Sequence, residues 1–258
     1  TVTLAKTGDT VTLTIATNEN VSSPTVTFTS GGAAATNADT VSGASPGTSF
    51  TSAYTVDASD TDGTVAISIT ATDVAGNTTS GFTTISAGSV TVDQTAPASQ
   101  KTQGVVTTGG DNQVAGYWNS GNTGVDITVP IADDSSINGG TVQLLVSTDG
   151  GGSFVPLDTP STISAVNTNK TISVASGVLE GVAGFGESDV LQFKATITDT
   201  SGNATTGTVS DTTLTVDQTA ATISTSSIAS DNETVTLAKT GDTVTLTIAT
   251  NENVSSPT

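Results

Sequence analysis

The sequence contains no histidine, cysteine or methionine, and lysine is its only basic residue type, with 5 copies in 258 residues. Without histidine or cysteine the chain has no Ser–His–Asp triad, no thiol nucleophile, no disulfide and no imidazole or thiolate metal site. The 24 acidic residues give a net charge of −19, whose field repels nucleic acid. No apolar run approaches the roughly 20 residues of a membrane-spanning helix. We therefore expect no enzyme, no nucleic-acid partner and no membrane insertion.

Apolar residues alternate with threonine and serine along much of the chain. The pattern is clearest at 10–15, 65–72 and 191–198. A period of two places one face of a strand on a core and the other in water, and threonine suits the wet face because its β-branch favours strands. This alternation argues against a disordered acidic segment and predicts an all-β protein. The best candidate for a short helix is 176–184.

An internal repeat sets the organisation of the chain. Residues 1–25 and 234–258 are identical letter for letter, an offset of 233 residues (234 − 1). Two further markers recur inside that period: TATDVAGN becomes TITDTSGN, and VDQTAP becomes VDQTAA. Self-similarity at a fixed period indicates an array of modules. One period therefore holds two related modules of unequal length.

The repeat also predicts the module boundaries. Module A covers 1–97 and lacks its first strand, because the segment that precedes the repeat at the other end, 222–229, is the matching strand. Module B covers 98–221, and 222–258 supply the first strands of the next copy of module A. We expect the sequence to be a window on a much longer array.

Short, evenly spaced strands separated by turn residues predict immunoglobulin-like β-sandwiches in an elongated array. The predicted strands of module A are 10–17, 25–30, 39–43, 49–57, 64–72 and 82–93. The predicted core of module A is Val11, Leu13, Ile15, Val26, Phe28, Phe50, Tyr54, Val56, Val65, Ile67, Ile69 and Phe82, and module B adds Tyr117, Trp118, Phe154, Phe185 and Phe193. We interpret Trp118 as a packing residue and not as a ligand platform.

Several motifs carry a resemblance to a known family. They are AKTGDTVTLTI followed by NENV, then DTDG at 60–63, TDVAGN and TDTSGN, and VDQTAP. With these motifs the chain resembles the bacterial Ig-like tandem repeats of giant secreted surface adhesins of the repeat-in-toxin type. The resemblance covers module A and the distal half of module B, and the segment 114–124 departs from it. It implies a stalk of tandem sandwiches, Ca²⁺ between or within modules, and type I secretion.

The topology of such a sandwich predicts where carboxylates meet. Loops alternate between the two ends, so the downstream end of each module faces the upstream end of the next. Ca²⁺ takes about six to eight oxygen ligands, and a shared ion would relieve the repulsion and lock the modules. The predicted ligands are Asp60, Asp62 and Asp93 with Asp133, Asp134 and Asp199 at the first junction, Glu187, Asp189 and Asp217 with 251–253 at the second, and Asp73 beside 18–20.

The alternative for these residues is ordinary turn chemistry, which explains Asp73 and Asp199 nearly as well. Asp57, Asp149 and Asp158 are expected to be solvated.

The sequence favours a structural spacer in an extracellular adhesin at the cell surface, with neighbouring modules or copies of itself as partners. The alternative is a filament, sheath or surface-layer subunit, in which 222–233 complete module A of a neighbouring chain by strand addition. Rows of Thr-x-Thr leave a third possibility, carbohydrate or ice binding.

Overall fold

A computed structural model of the chain describes residues 2–37, 40–110 and 113–254. Nineteen strands carry the fold, and within these ranges the helical structure is one short α-helix, α1 (Ser176–Glu180), and one 3-10 turn (Ser135–Ile137). The all-β prediction is therefore confirmed, and α1 lies where the helix was predicted. Part of the predicted strand 39–43 falls outside the described residues.

The first sandwich is formed by eight strands. Its two sheets face each other across a core: β2 pairs with β5 in one, and the order β1-β8-β6-β3-β4 forms the other, with β7 added to β6. The strands are β1 (Val2–Ala5), β2 (Thr10–Val21), β3 (Thr25–Ser30), β4 (Ala33–Ala34), β5 (Gly47–Thr55), β6 (Gly63–Thr72), β7 (Thr78–Phe82) and β8 (Ser89–Val92).

The second sandwich has the same plan with one more strand in the smaller sheet. That sheet has the order β14-β11-β9, and the other has the order β10-β17-β15-β12-β13, with β16 added to β15. The strands are β9 (Gln103–Thr108), β10 (Tyr117–Trp118), β11 (Gly124–Ile131), β12 (Thr141–Ser147), β13 (Val155–Thr162), β14 (Thr168–Ala175), β15 (Val190–Thr198), β16 (Ala204–Thr206) and β17 (Leu214–Val216).

Alternation along the strands builds both cores. In β11 and β15 the apolar residues point inward, and Ile127, Phe193 and Trp118 are completely or almost completely buried between the sheets. In the first sandwich Phe50 and Tyr54 play the same part. A short parallel pair joins an early strand to the last strand in each sandwich, β1 to β8 and β10 to β17. The fold is immunoglobulin-like.

The remaining described residues form a hairpin of two strands, β18 (Ile223–Ser230) and β19 (Val244–Thr250). Seven residues of each strand pair in antiparallel register, with a bulge between Ile223 and Thr225. The hairpin has no core of its own in the described part of the chain, and its large apolar side chains are exposed. Ile223 is 65% exposed and Ile228 is 71% exposed.

The prediction that Phe82 and Tyr117 belong to the core is wrong. Phe82, at the end of β7, is 49% exposed, and Tyr117, in β10, is 46% exposed. Phe82 pairs with the core-facing Ile69 but lies near the edge of its sheet, where no second sheet covers it. Tyr117 points to the outer face, because its neighbour Trp118 in β10 points into the core. Trp118 is fully buried, which confirms its interpretation as a packing residue. Its indole Nε1–H donates to Glu180 Oε1 at 3.1 Å.

Candidate functional site

The predicted carboxylates at the downstream end of the first sandwich divide into two environments. Asp60, in the loop between β5 and β6, is buried, and it accepts from Thr36 N, in the segment after β4, at 2.9 Å and from Asp57 N in its own loop at 2.8 Å. Asp62 is exposed and faces the segment that follows β8. It accepts from Gln94 N at 2.9 Å and from the Thr95 hydroxyl at 2.6 Å. Only Asp62 therefore faces the way the prediction required.

At the upstream end of the second sandwich, Asp199 organises the turn between β15 and β16. Its Oδ1 accepts from Ser201 N at 2.9 Å and Asn203 N at 2.8 Å, and its Oδ2 accepts from the Asn203 side chain at 3.0 Å. Asp199 is buried, so these three bonds replace the water that the carboxylate gives up. Its backbone turn is closed by the bond from Asp199 N to Asn203 O.

The first sandwich contains the same turn, built by Asp73 and Asn77. Asp73 accepts from Asn77 N and from the Asn77 side chain, both at 2.8 Å. These bonds favour the ionised carboxylate, and they hold the pKa of Asp73 below its ordinary value. Asn77 is exposed in the described structure, whereas its equivalent Asn203 is half-buried.

Asp93 meets the Asp199 turn where the two sandwiches touch. The Ser201 hydroxyl donates to Asp93 Oδ2 at 2.6 Å, and the Asn203 side chain donates to the Asp93 carbonyl at 2.9 Å. Beside them, Lys6 Nζ donates to the Gly202 carbonyl at 2.9 Å. We call this set of contacts, between Lys6 or Asp93 and the turn 199–203, the junction. It brings together two of the predicted ligands, Asp93 and Asp199.

Asp133 and Asp134 belong to the loop beside the junction, and in the described structure neither forms a hydrogen bond with Asp93 or Asp199. Asp134 caps the 3-10 turn by accepting from Ser136 N at 2.9 Å and from the Ser136 hydroxyl at 2.7 Å. The Ser136 carbonyl in turn accepts from Thr200 N at 3.1 Å. Asp134 thus supports the turn 199–203 from the side, and Asp133 is exposed.

At the other end of the second sandwich, Glu187 accepts from Gln218 N at 2.9 Å. One carboxylate oxygen of Asp189, Oδ2, is buried and has no hydrogen-bond partner among the described residues. The backbone N–H of Asp217 bonds Trp118 O. Asn251, predicted to face these groups, bonds Thr222 within the hairpin at 2.6 Å.

The oxygen atoms of these side chains suit a hard cation, but few carboxylates lie close together. Within residues 2–37, 40–110 and 113–254 no three His, Cys, Asp or Glu side chains form a group able to hold a metal ion. The junction supplies two carboxylates, side-chain and backbone carbonyl oxygens, and the Lys6 ammonium as a positive charge of its own. A calcium ion there would have to take over acceptors that now receive hydrogen bonds.

The sequence did not predict the contacts of Lys6 and Ser201, or the hydrogen-bonded loop around Asp149. Asp149 is exposed as expected, but Ser147 and Ser153 donate to it at 2.6 and 2.9 Å, and these bonds hold its pKa far below the ordinary value. The spacing Ser-x-Asp-x-x-x-Ser at 147–153 was the available signal for this loop. Lys6 carried a signal as well, because its turn lies at the same end of the sandwich as Asp62.

A second feature of the first sandwich is an open groove of about 850 Å³ along β2. Its floor is formed by inward side chains of β2 and β6, including Leu13, Ile15 and Ile67. Phe82 and Ile85, both exposed large apolar residues, lie on its wall. In the described part of the chain β2 has one partner strand, β5, so the edge of β2 beside this groove is unpaired.

Comparisons with known proteins give structural similarity only. No protein-family model and no curated protein matches the chain. An I-band fragment from titin is 11% identical, over 90% of this chain and 77% of that one, with a TM-score of 0.35. A tetra-tandem repeat from the extending region of a large adhesion protein is 19% identical, over 95% and 60%, with a TM-score of 0.28.

A Bacteroides ovatus protein of a mixed-linkage glucan utilisation locus, solved with a heptasaccharide, is 18% identical over 88% of this chain and 46% of that one, with a TM-score of 0.20. This chain therefore spans less than two thirds of two of these three structures. At such TM-scores none of the similarities bears on function. Among the described residues no helix has the length and apolar character needed to span a membrane.

Proposed function

We propose that this chain is a spacer segment of a long extracellular surface adhesin, and that the junction fixes each sandwich to the next. The observation that carries the proposal is the junction itself. Asp93 lies at the end of one sandwich and binds the turn 199–203 of the other through two hydrogen bonds, with Lys6 adding a third contact. A spacer needs length and fixed joints, and an array of repeated modules supplies both.

The more specific part of the proposal is that the junction binds calcium. In this view Ca²⁺ binds at the junction to oxygens of Asp93, Asp199 and Asn203, and it stiffens the joint beyond what the hydrogen bonds achieve. The support is chemical: the side chains offer only hard oxygen ligands, and the chain carries a net charge of −19 that a bound cation would reduce. Glu187, Asp189 and Asp217 are proposed for the equivalent site at the next junction.

The test compares the full chain in millimolar Ca²⁺, in Mg²⁺ and in chelator. Calorimetry gives the thermal midpoint, and small-angle scattering gives the longest dimension of the particle. We expect Ca²⁺, but not Mg²⁺, to raise the midpoint and to narrow the distribution of particle lengths. Identical curves in Ca²⁺ and in chelator would remove calcium from the proposal and leave the hydrogen bonds as the joint.

Two variants separate the metal from the hydrogen bonds. Asp93→Asn removes a carboxylate ligand and should abolish the calcium-dependent increase in midpoint. Ser201→Ala removes the hydroxyl that donates to Asp93, so it should lower the midpoint in all three buffers and leave the calcium increment intact. If neither variant shortens or loosens the particle, the joint does not depend on this contact and the spacer proposal loses its support.

A further inference from the structure

The downstream ends of the two sandwiches are built on the same backbone frame. In the first sandwich the N–H of Asp93 donates to the carbonyl of Ala5 at 2.9 Å. In the second sandwich the N–H of Asp217 donates to the carbonyl of Trp118 at 2.9 Å. The strands that end at Ala5 and Trp118 are the equivalent partners of the parallel pairs. The two ends can therefore be compared position by position.

The residue that follows this frame differs between the two ends. It is Lys6 in the first sandwich and Asn119 in the second. Lys6 N donates to Asp9 Oδ2 at 2.9 Å and Asn119 N donates to Asn122 Oδ1 at 2.8 Å, so both residues open the same turn. Lys6 extends an ammonium group across the junction. Asn119 has a shorter, uncharged side chain, whose Oδ1 accepts from Gly121 N inside the turn at 2.9 Å.

The upstream ends differ in the middle of the repeated turn. In the turn 199–203 the two residues after the aspartate are a threonine and a serine, and in the turn 73–77 they are Val74 and Ala75. The serine hydroxyl donates to Asp93 Oδ2 at 2.6 Å, and the threonine hydroxyl donates to a carbonyl of the 3-10 turn at 3.0 Å. Val74 and Ala75 have no hydroxyl, so the turn 73–77 cannot form either bond.

The repeat places these differing ends against each other. Residues 222–258 open another sandwich of the first type after the second sandwich, and the lysine of the junction recurs there as Lys239. The array therefore contains a second kind of joint, in which Asn119 and Asp217 face a turn with the sequence of 73–77. Of the three contacts of the junction, only the one donated by the turn asparagine has both of its groups at this second joint.

From this we infer that the array alternates a stiff joint with a hinge. The stiff joint is the junction, where the first sandwich meets the second. The hinge is the joint from the second sandwich to the next first sandwich, which lacks the ammonium and hydroxyl contacts. Hydrogen bonds that involve a charged group are the stronger ones, so these two losses remove most of the direct attraction between the ends. Domains that share few contacts move relative to each other.

This inference rests on the spacer proposal, because both treat the chain as part of an array. It confines the fixed joint to one boundary in each period and predicts that the array bends at the other. The contacts that distinguish the two boundaries are formed by side chains of the protein itself. The difference in stiffness should therefore be present without calcium, and all the measurements below are made in chelator.

Spin labels on engineered cysteines measure each joint separately, because the chain contains no cysteine. Residues 1–258 followed by 26–258 form a chain of two periods, which contains both joints with complete sandwiches on either side. Thr51→Cys and Ser173→Cys, at exposed strand positions of the two sandwiches, are placed on opposite sides of one joint at a time. Pulsed electron resonance should give a distance distribution about twice as wide across the hinge as across the junction.

An exchange of residues tests the cause within the chain of 258 residues. Lys6→Asn, Thr200→Val and Ser201→Ala together give the junction the residues of the hinge. This triple variant should widen the distance distribution across the junction about twofold. Lys170→Asn is the matched control, since it removes the same charge from β14, and it should leave the width unchanged.

The reverse exchange tests whether the hinge can be made stiff. In the chain of two periods, Asn119→Lys in the first period is combined with Val74→Thr and Ala75→Ser in the second. These changes restore the missing groups at the hinge, so its distance distribution should narrow to the width found across the junction.

Three results would overturn the inference: equal widths across the two joints, a triple variant no wider than the parent chain, or a reverse exchange that does not narrow the hinge. The widths also separate this inference from the spacer proposal. If both joints are narrow, the hinge is wrong and the spacer keeps its fixed joints. If both are wide, the fixed joint of the spacer proposal fails as well.

Discussion

The two sandwiches have the same architecture, but the smaller sheet covers the core more completely in the second sandwich than in the first. The second has a three-stranded sheet facing the larger sheet, and its core extends continuously from β9 to β17. The first has only β2 and β5 in that position, and Leu13 is left partly buried beside the groove. Alternating sequences of the same kind therefore form a closed core only when the outer strand is in place. That strand contributes buried side chains and also covers the apolar residues of its neighbours.

The repeated turn gives a second comparison. Asp73 with Asn77 and Asp199 with Asn203 have the same hydrogen-bond pattern, but only Asn203 also binds a residue of another sandwich, Asp93. The turn is thus a local structure that becomes a joint when a partner is placed against it.

The closed core should be the most sensitive to truncation. Phe193→Ala removes a fully buried ring from the second sandwich and should lower its free energy of unfolding by about 3–5 kcal/mol. Phe82→Ala, at an exposed position of the first sandwich, should cost less than about 0.5 kcal/mol. The single tryptophan, Trp118, is buried in the second sandwich, so its fluorescence during denaturant unfolding reports on that sandwich.

A small effect of Phe193→Ala would mean that the second core relaxes around the lost ring and is less tightly packed than its burial indicates. A large effect of Phe82→Ala in dilute solution would also be informative. It would show that the wall of the groove supports the first sandwich without any added strand.

The joint should be more sensitive than the free turn. Asn203→Ala deletes bonds to Asp93 and to the buried Asp199, so it should destabilise the chain by about 1–3 kcal/mol. Asn77→Ala deletes the equivalent bond at an exposed turn and should cost less than about 1 kcal/mol. Thermal unfolding by calorimetry measures both. Equal losses would show that the contact with Asp93 contributes nothing measurable.

The smallest expected effect is on the loss of thermal stability at low pH. Hydrogen bonds from Ser147 and Ser153 lower the pKa of Asp149 in the folded state, so its contribution to stability is present above the unfolded pKa of about 3.8 and is lost as the pH falls below it. Asp149→Asn should flatten the decline of the thermal midpoint between about pH 5 and pH 2. A slope that Asp149→Asn does not alter would mean that this loop is not part of acid unfolding.

Much of the fold could be predicted because alternation and turn residues act locally. The prediction of 25–30 matches β3, and those of 49–57 and 64–72 match β5 and β6 to within two residues. Burial at sheet edges was less predictable. Phe82 follows the alternating phase, yet its exposure depends on whether another strand lies beside it. No local pattern around residue 82 contains that information.

The candidate site shows the same limit. The turns of Asp73 and Asp199 followed from the spacing of aspartate and asparagine, because those bonds form within five residues. The contact of Lys6 with Gly202 joins residues 196 positions apart, and that of Ser201 with Asp93 joins residues 108 apart. Topology predicted which ends would face each other, but not which side chains would meet there.

The parallel pairing of β1 with β8 has a mechanical consequence. Tension on the first sandwich pulls β1 from its N-terminal end and β8 from its C-terminal end. Because the two strands run in the same direction, these opposed forces slide one strand along the other. All the slanted hydrogen bonds of the pair then share the load at once, whereas a hairpin loaded from its open end would break them one after another. Four paired residues on each strand thus act as a shear clamp at the point where force would pass through the module.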